Sequence, residues 1–501
     1  MRISTLAAAL ALAAVPVAAQ EAPTTVEQSP QPAVHARAYL ARIAELDDAG
    51  PTINAVIATN PDAPVEADAA ASLPLRGRTV LIKDNIETRE LPTTAGSLAL
   101  AANATGRDAP LIARLRAAGG VVLGKTNLSE WANIRSNNST SGWSAIGGLT
   151  RNPHALDRNA CGSSSGSGAA VAAGFAWAAI GTETDGSITC PASVNGVVGF
   201  KPTVGMVSRT YVIPISSSQD TAGPMAQTVR DAAMLLTAIA GSDPDDDATA
   251  YADQFKTDFV RGLGTASLEG MRIGVMRKQV GSRKGVAALF EAALADMKRA
   301  GAELVEIEFE PAGEMYRDEF TVLLYELREG MDAYLAGSPA DIPVRSLAEV
   351  IAFNREHAVR EMRWFGQELF EQALETTDAG VYAEARANSF RLAGPEGIDK
   401  LLSDNGVAFL VAPTAGPAWT SDLVNGDNFS GGIGAGSLAA IAGYPHLTVP
   451  MGAIEGLPVG LSFIGAKWHD HELLKAGAAY ERARTATLAE PAFARWTPAD
   501  E

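Results

Sequence analysis

The sequence predicts a single large domain of the α/β class. Short apolar strands alternate with amphipathic helices along most of the chain, which is the pattern of α/β folds. The length of 501 residues corresponds to about three domains at ~150 residues each, but no internal repeat and no clear linker divides it. Hydrophobic residues make up 47% and charged residues 20%, as in ordinary globular proteins, so disordered, coiled-coil and collagen-like chains are excluded.

The first predicted elements follow from apolar spacing and from residues that end helices. Apolar residues at helical spacing predict a helix from Ala36 to Leu46. A second helix is predicted over 110–118, because a proline lies at its start and two glycines follow its end. Runs of apolar residues predict strands over 53–57, 79–82 and 121–123.

A long polar segment over 135–168 interrupts this alternation. It is dense in Ser, Asn and Gly, and at Ala169 it passes into an Ala-rich helix. A long polar loop that leads into a helix is often functional. This segment is therefore the first candidate for a functional site.

The second half of the chain returns to the alternating pattern around a helical middle. Charged helices are predicted over about 314–403, and we expect them to shape one wall of a cleft. The other elements are strands over 272–276 and 304–307 around a helix over 286–297, then a strand over 407–411, a helix over 434–442, strands over 447–449 and 459–464, and a closing helix over 472–482.

The first 19 residues have the features of an export signal. Met1 and Arg2 give a positive start, an Ala/Leu-rich apolar stretch follows, and small residues close the segment. A membrane anchor is the less favoured alternative, because the apolar run is shorter than the ~20 residues of a span and is broken by Pro16. We therefore expect an exported protein, periplasmic or secreted and free of the membrane after cleavage, with a signal peptide over 1–19, a flexible lead-in over 20–34 and the functional domain over 35–501.

Charge and cysteine content limit the possible partners and cofactors. The 40 Lys+Arg and 58 Asp+Glu residues give a net charge of -18 without a basic run, which argues against nucleic acid and anionic lipid. A small-molecule or peptide substrate remains, and no feature indicates an oligomeric state. Cys161 and Cys190 lack the paired spacing of a structural zinc site. We expect two buried free thiols, with a disulfide in an oxidising compartment as the alternative. His469 and His471 are expected on a solvated loop or helix start, so neither a metal nor a cofactor is predicted.

Two Gly- and Ser-rich stretches, over 161–168 and 181–191, carry the strongest chemical signal. A phosphate-binding loop is disfavoured, because Gly168 is followed by alanines where the Walker pattern needs Lys and Ser/Thr. Residues 162–166 also satisfy G-x-S-x-G with Ser164 at the centre, but the preceding residues are polar rather than an apolar strand. A pair of serines with a lysine base is the third interpretation and the favoured one.

On these residues the chain resembles the amidase signature family. Ser187 matches the family's acyl-forming nucleophile, Ser163 lies 24 residues upstream and matches its bridging serine, and Lys83 after an apolar strand matches its base. The resemblance runs in pieces from about residue 35 to 485. It implies a mixed, twisted β-sheet covered by α-helices on both faces, and a cis peptide bond before Ser163.

The proposed chemistry explains these residue types. A serine hydroxyl must lose its proton to attack an amide, and a lysine can accept it only when uncharged, a state that burial favours. Ser163 would relay the proton from Ser187 to Lys83, as in other Ser-Lys variants of the serine triad. Backbone N–H groups of Thr184, Asp185 and Gly186, with that of Ser187, would face the developing oxyanion.

Other residues of these motifs are assigned structural roles. Ser164, Ser165 and Ser167 are expected to support the loop rather than to react. Lys125 and Lys201 also follow strands and are rival bases, but solvent exposure is the favoured interpretation for both.

The substrate is predicted to be a neutral amide. Several relatives carry an arginine just before the proline that follows the nucleophile, whereas this chain has Thr189 and Cys190 there. The residues of these motifs most resemble those of the peptide amidase branch, which releases ammonia from C-terminal peptide amides. The alternatives are an aryl or aliphatic amidase, the amidase subunit of a tRNA-dependent amidotransferase, and an exported binding protein without activity. The last would lose at least one of the three candidate residues, and none is lost.

Overall fold

A computed structural model describes residues 31–429 and 432–498. The predicted signal peptide and most of the predicted lead-in lie outside the described residues. The first helix begins at Pro32, three residues before the predicted domain start at His35, with a proline in its first turn.

The helices and strands alternate along most of the described chain, as the sequence predicts. The α-helices are α1 Pro32–Leu46, α2 Ala63–Ala69, α3 Pro110–Ala117, α4 Ser165–Ala172, α5 Thr189–Val194, α6 Val229–Ile239, α7 Ala252–Phe255, α8 Lys284–Arg299, α9 Gly313–Gly337, α10 Leu347–Glu356, α11 Ala358–Glu361, α12 Glu368–Glu375, α13 Ala379–Ala393, α14 Lys400–Asn405, α15 Gly436–Ala442 and α16 Asp470–Ala483. The strands are β1 Val56–Thr59, β2 Thr79–Lys83, β3 Val121–Thr126, β4 Trp143–Ser144, β5 Gly148–Leu149, β6 Arg151–Asn152, β7 Ala155–Asn159, β8 Ala178–Glu183, β9 Val198–Lys201, β10 Thr221–Ala226, β11 Arg272–Met276, β12 Glu303–Ile307, β13 Phe409–Pro413, β14 His446–Ile454 and β15 Leu457–Ile464.

One sheet of 11 strands organises the described part of the molecule. Its order is β1-β3-β2-β8-β10-β9-β14-β15-β13-β11-β12. Strand β2 pairs in parallel with β3 and β8, and β11 with β12 and β13, whereas the remaining pairs are antiparallel. The mixed sheet implied by the family resemblance is confirmed.

Helices cover both faces of this sheet. Strand β2 shows why, because Val80 and Ile82 pack into one core with α3, α6, α8 and α16, whereas Leu81 packs into the other with α1, α2, α4 and α5. Successive side chains of a strand point to opposite faces, so a strand that is apolar throughout needs a layer on each side. The prediction of a single α/β domain with helices on both faces is confirmed.

Element boundaries differ from the prediction in two informative places. The strand predicted over 53–57 lies at Val56–Thr59, and the helix predicted from Ala169 begins at Ser165. The first turn of α4 consists of serine and glycine, which have low helix propensity and add no large apolar residue to the pattern. Apolar spacing therefore does not predict this turn. Within residues 31–429 and 432–498, we find no helix with the length and apolar character of a membrane span.

Candidate active site

The site begins where two neighbouring parallel strands end. Strands β2 and β8 pair through Ile82 and Ile180, so their carboxyl ends meet at one edge of the sheet. Lys83 is the last residue of β2 and lies on the same face as Leu81, toward α4. The serine-rich stretch before α4 therefore faces the lysine side chain.

Lys83 is completely buried and has three close polar neighbours. Its Nζ lies 2.7 Å from Ser163 Oγ, 2.8 Å from Thr182 Oγ1 and 3.1 Å from the Thr182 carbonyl oxygen. Asn85 Nδ2 donates to the same Thr182 hydroxyl at 3.0 Å. The lysine predicted as a base and the serine predicted as a relay are thus in direct hydrogen-bonding contact.

Burial lowers the pKa of Lys83 from 10.5 to about 7, because an ammonium ion loses its hydration in the protein interior. The carboxylates of Asp220 and Glu183 oppose this effect, since negative charge nearby favours the ammonium form. A substantial fraction of Lys83 is therefore uncharged near neutral pH.

The two serine-rich stretches are held against each other. The Ser164 N–H donates to the Ser187 carbonyl oxygen at 3.1 Å, and Ser164 Oγ donates to the Thr182 carbonyl at 3.0 Å. The peptide bond between Gly162 and Ser163 is cis, as the family resemblance implies. Ser187 is partly exposed, whereas Ser163 is fully buried.

The turn that carries Ser187 is fixed by a carboxylate and a glycine. The Glu183 carboxylate accepts hydrogen bonds from the N–H groups of Ile188 and Thr189, at 2.7 and 2.9 Å, and so caps the start of α5. Gly186 has φ +82°, and a Cβ there would meet open space. Glycine is thus required by the backbone conformation of the turn rather than by crowding.

The candidate oxyanion residues are anchored by a loop that precedes β10. Thr184 Oγ1 donates to Asp220 Oδ1 at 2.6 Å, and its carbonyl accepts from Gln219 Nε2 at 3.3 Å. Asp185 is hydrogen-bonded to Ser437 and Glu319 through its side chain. Asn85, Thr182, Gln219 and Glu319 had been assigned no role from the sequence, because local sequence does not show which side chains of distant segments meet.

Helix α9 supplies part of the surrounding wall. The Glu326 carboxylate accepts hydrogen bonds from the Ser216 and Ser218 hydroxyls, and from the Ser218 N–H at 3.0 Å. These contacts hold the loop that bears Gln219. They give the helical segment after residue 313 a specific connection to the site.

The expectation of free thiols is wrong, because Cys161 and Cys190 form a disulfide, with 6.0 Å between their Cα atoms. The bond joins the residue two positions before Ser163 to the helix that follows Ser187. The two cysteines are 29 residues apart in the sequence, and the disulfide was the alternative to the expected free thiols. The two segments meet only because β8 brings the second serine stretch back beside the first.

The expected solvent exposure of Lys125 and Lys201 is also wrong, since both are completely buried. Lys125 pairs with Asp84 at 3.2 Å and donates to the Ile86 carbonyl at 2.7 Å. Burial lowers the pKa of Lys201 to about 8, and its Nζ donates to the Pro202 carbonyl. Lys125 is the penultimate residue of β3, and Lys201 is the last residue of β9.

The expected supporting roles of Ser165 and Ser167 and the expected position of His469 at a helix start are confirmed. Ser165 Oγ donates to the Cys161 carbonyl, and Ser167 Oγ lies 2.8 Å from Thr126 Oγ1, so these serines support the loop and α4. His469 is exposed at the start of α16, and the His471 ring lies 2.9 Å from a backbone carbonyl. No group of metal-ligating side chains occurs in the part of the chain that the structure describes.

Comparison with known proteins points to amide hydrolysis. The sequence model of the family described as Amidase matches residues 35–474. A probable amidase of Arabidopsis thaliana is 40% identical and covers 89% of this chain and 85% of its own. The structure of native peptide amidase from Stenotrophomonas maltophilia has a TM-score of 0.88 at 49% identity, covering 92% of this chain and 95% of that one. A glutamyl-tRNA(Gln) amidotransferase subunit of Symbiobacterium thermophilum is 34% identical, with 84% of this chain and 85% of its own covered.

Proposed function

Because the chain belongs to the amidase signature family and is therefore an amide-hydrolysing enzyme, we propose that it releases ammonia from the C-terminal amide of peptides through a serine acyl-enzyme. The observation that carries the mechanism is the hydrogen bond between Lys83 and Ser163 beside the Ser187 turn. The peptide substrate rests on the likeness to a peptide amidase over 92% of the chain.

The three oxygens around Lys83 are compatible with an uncharged amine. The backbone carbonyl of Thr182 can only accept a hydrogen bond, and the Thr182 side-chain hydroxyl already accepts one from Asn85. A neutral amine would donate its two hydrogens to these two oxygens. The lone pair of the nitrogen is then left for the Ser163 hydroxyl, which is the arrangement that a general base needs.

The reaction proceeds in two halves. Ser187 Oγ attacks the amide carbon while its proton passes to Ser163, which gives its own proton to Lys83. The tetrahedral intermediate collapses, the C–N bond breaks, and the departing nitrogen takes the proton back through Ser163 to leave as ammonia. Water then attacks the acyl-enzyme by the same proton relay, and the carboxylic acid product departs from a regenerated Ser187.

The turn over 184–187 would stabilise the oxyanion. Its backbone is fixed before substrate arrives by Asp220, Gln219 and Glu183, so the N–H groups need no reorganisation during the reaction. Such preorganised donors commonly contribute a factor of ~10²–10³ in kcat each.

The surroundings of the turn favour an uncharged amide. Cys190 is covalently occupied in the disulfide and Thr189 Oγ1 donates to Glu183, so neither position offers a cation to a substrate carboxylate. A peptide that ends in a carboxamide meets this requirement, whereas an ordinary peptide bond at the chain end carries a carboxylate beside it.

Export is part of the proposal. The first 19 residues have the pattern of a signal peptide, and disulfides persist mainly in oxidising compartments. The bond between Cys161 and Cys190 supports the same location.

A second candidate function is that of an amidotransferase component, which is favoured by the 34% identity to such a protein. In that case ammonia would be used by a partner protein. An aryl or aliphatic amidase is the alternative within the same mechanism. Release of free ammonia by the isolated chain would argue against the amidotransferase role. The amides from which ammonia is released would distinguish a peptide amidase from an aryl or aliphatic amidase.

The test is ammonia release from neutral peptide amides, the matching free acids, aryl amides and glutamine. Wild type is compared with Ser187→Ala, Ser163→Ala and Lys83→Ala, and with Ser403→Ala and Lys284→Ala, which alter exposed residues of α14 and α8. We expect release from peptide amides that is lost in the first three variants and retained in the two controls. Activity confined to aryl amides would overturn the proposed peptide-amide substrate, and an active Ser187→Ala variant would overturn the proposed serine mechanism.

A further inference from the structure

Helix α9 touches the nucleophile turn through one buried carboxyl group. Glu319 is 6% exposed, and its side chain is hydrogen-bonded to that of Asp185, two residues before Ser187. The helix begins at Gly313, far along the chain from the serine motifs. The contact therefore links two parts of the molecule that no local motif connects.

Two carboxyl groups in contact cannot both be ionised without strong repulsion, so the pair holds a shared proton. Burial raises the pKa of both groups, and the negative charge of Asp185 raises the pKa of Glu319 further. Near neutral pH the pair thus keeps a proton that an exposed pair would have lost.

The amide of Gln219 fixes the orientation of this pair. Its Nε2 donates to Glu319 Oε1 at 3.0 Å and to the Thr184 carbonyl at 3.3 Å. One Glu319 oxygen is thereby occupied, which leaves the other for Asp185. Thr184 and Asp185 are consequently connected to α9 by one continuous chain of hydrogen bonds.

The groups around the pair come from several elements. Tyr316 lies on the same helix, Glu183 ends β8 and Lys201 ends β9. Ser437, on α15, hydrogen-bonds to Asp185. Of these groups, Lys201 alone adds positive charge, and it lowers the pKa of Asp185 less than burial raises it.

We propose that Glu319 is a positioning residue: the proton that it shares with Asp185 holds the oxyanion turn against α9, and loss of this proton at alkaline pH lowers kcat. The proposal rests on the proposed function, since it assigns the turn to oxyanion stabilisation. Ionisation of both carboxyl groups would push Asp185 away from Glu319 and displace the N–H groups that follow it.

Two substitutions separate positioning from a general structural role. In Glu319→Gln the side-chain amide donates to the Asp185 carboxylate without a titrating proton, and its oxygen still accepts from Gln219. We expect kcat within about threefold of wild type at neutral pH and an alkaline decline that moves to higher pH or disappears. In Glu319→Ala we expect kcat to fall about 10- to 100-fold, less than the full loss of one oxyanion donor, with KM within about threefold.

The measurement is the pH dependence of kcat and KM with a neutral peptide amide, together with the rate at which phenylmethanesulfonyl fluoride modifies Ser187. Glu314→Gln is the matched control, because Glu314 is exposed in the first turn of the same helix. An unchanged alkaline limb in Glu319→Gln would overturn the proposal, as would a Glu319→Ala variant that changes KM alone. Absence of ammonia release by wild type would instead refute the proposed function, and the sulfonylation rates would still test the positioning role.

Discussion

The strongest quantitative prediction concerns the protonation of Lys83. With a pKa of about 7, this side chain is roughly 50% uncharged at pH 7, ~10% at pH 6 and ~1% at pH 5. If Lys83 is the base, only the uncharged fraction is active in the free enzyme. We therefore expect kcat/KM to fall about tenfold per pH unit below pH 6, to about 100-fold below its plateau at pH 5.

The assay is ammonia release from an N-acetylated dipeptide amide, which has no titratable group of its own. Profiles are measured between about pH 5 and 11 at two temperatures. Proton loss from an amine is strongly endothermic, whereas proton loss from a carboxylic acid is nearly athermal. Warming should therefore move the acid limb to lower pH. Lys284→Ala, which removes an exposed lysine of α8, should give the wild-type profile.

Two results would refute this reasoning. An acid limb that does not move on warming would belong to a carboxyl group, such as Asp185 or Glu319, rather than to Lys83. A limb centred above about pH 9 would show a lysine with nearly its ordinary pKa, and hence a site more hydrated than the buried contacts of Lys83 indicate.

Three further variants test separate parts of the site. Gly186→Ala should lower kcat and should lower the unfolding free energy by about 1–2 kcal/mol. Alanine disfavours the backbone angle φ +82°, although its Cβ would meet open space. An unchanged kcat would contradict a rigid turn. Replacing Cys161 and Cys190 together by serine should lower the unfolding free energy by about 3–4 kcal/mol, which is the chain-entropy value for a loop of 29 residues. Denaturant titrations measure this loss, and reduced wild type should show the same loss as the double variant. Lys83→Met should be inactive. Between pH 7 and 10 the unfolded state of wild type binds more protons than the folded state, because Lys83 is uncharged only when folded. The unfolding free energy of wild type should therefore rise by about 3 kcal/mol relative to that of the variant across this range. Unfolding free energies of the two proteins that change in parallel with pH would exclude a depressed pKa of Lys83.

The candidate site was predictable to the extent that its residues occur in recognisable local patterns. Lys83 ends an apolar strand, and Ser163 and Ser187 lie in Gly-rich stretches. The structure brings Lys83 and Ser163 into contact, and the N–H of the neighbouring Ser164 donates to the Ser187 carbonyl. Their catalytic roles stay predictions until the variants are measured.

The errors share one physical cause. Lys125 and Lys201 were expected in solvent and are buried, and Cys161 and Cys190 were expected as free thiols and are joined. In each case the outcome depends on which segment covers a strand end or returns beside it. Composition and local spacing contain no information about that arrangement.

By itself the sequence determined the α/β class and most helices and strands, because apolar periodicity acts over a few residues. The three candidate residues followed from its resemblance to the amidase signature family. The tertiary structure decided the environment of those residues: the pKa of Lys83, the disulfide, and the link from Glu319 on α9 to Asp185. Burial and electrostatic interaction depend on distances between segments that lie far apart in the chain. These distances exist only once the sheet has assembled and the helices have covered its two faces.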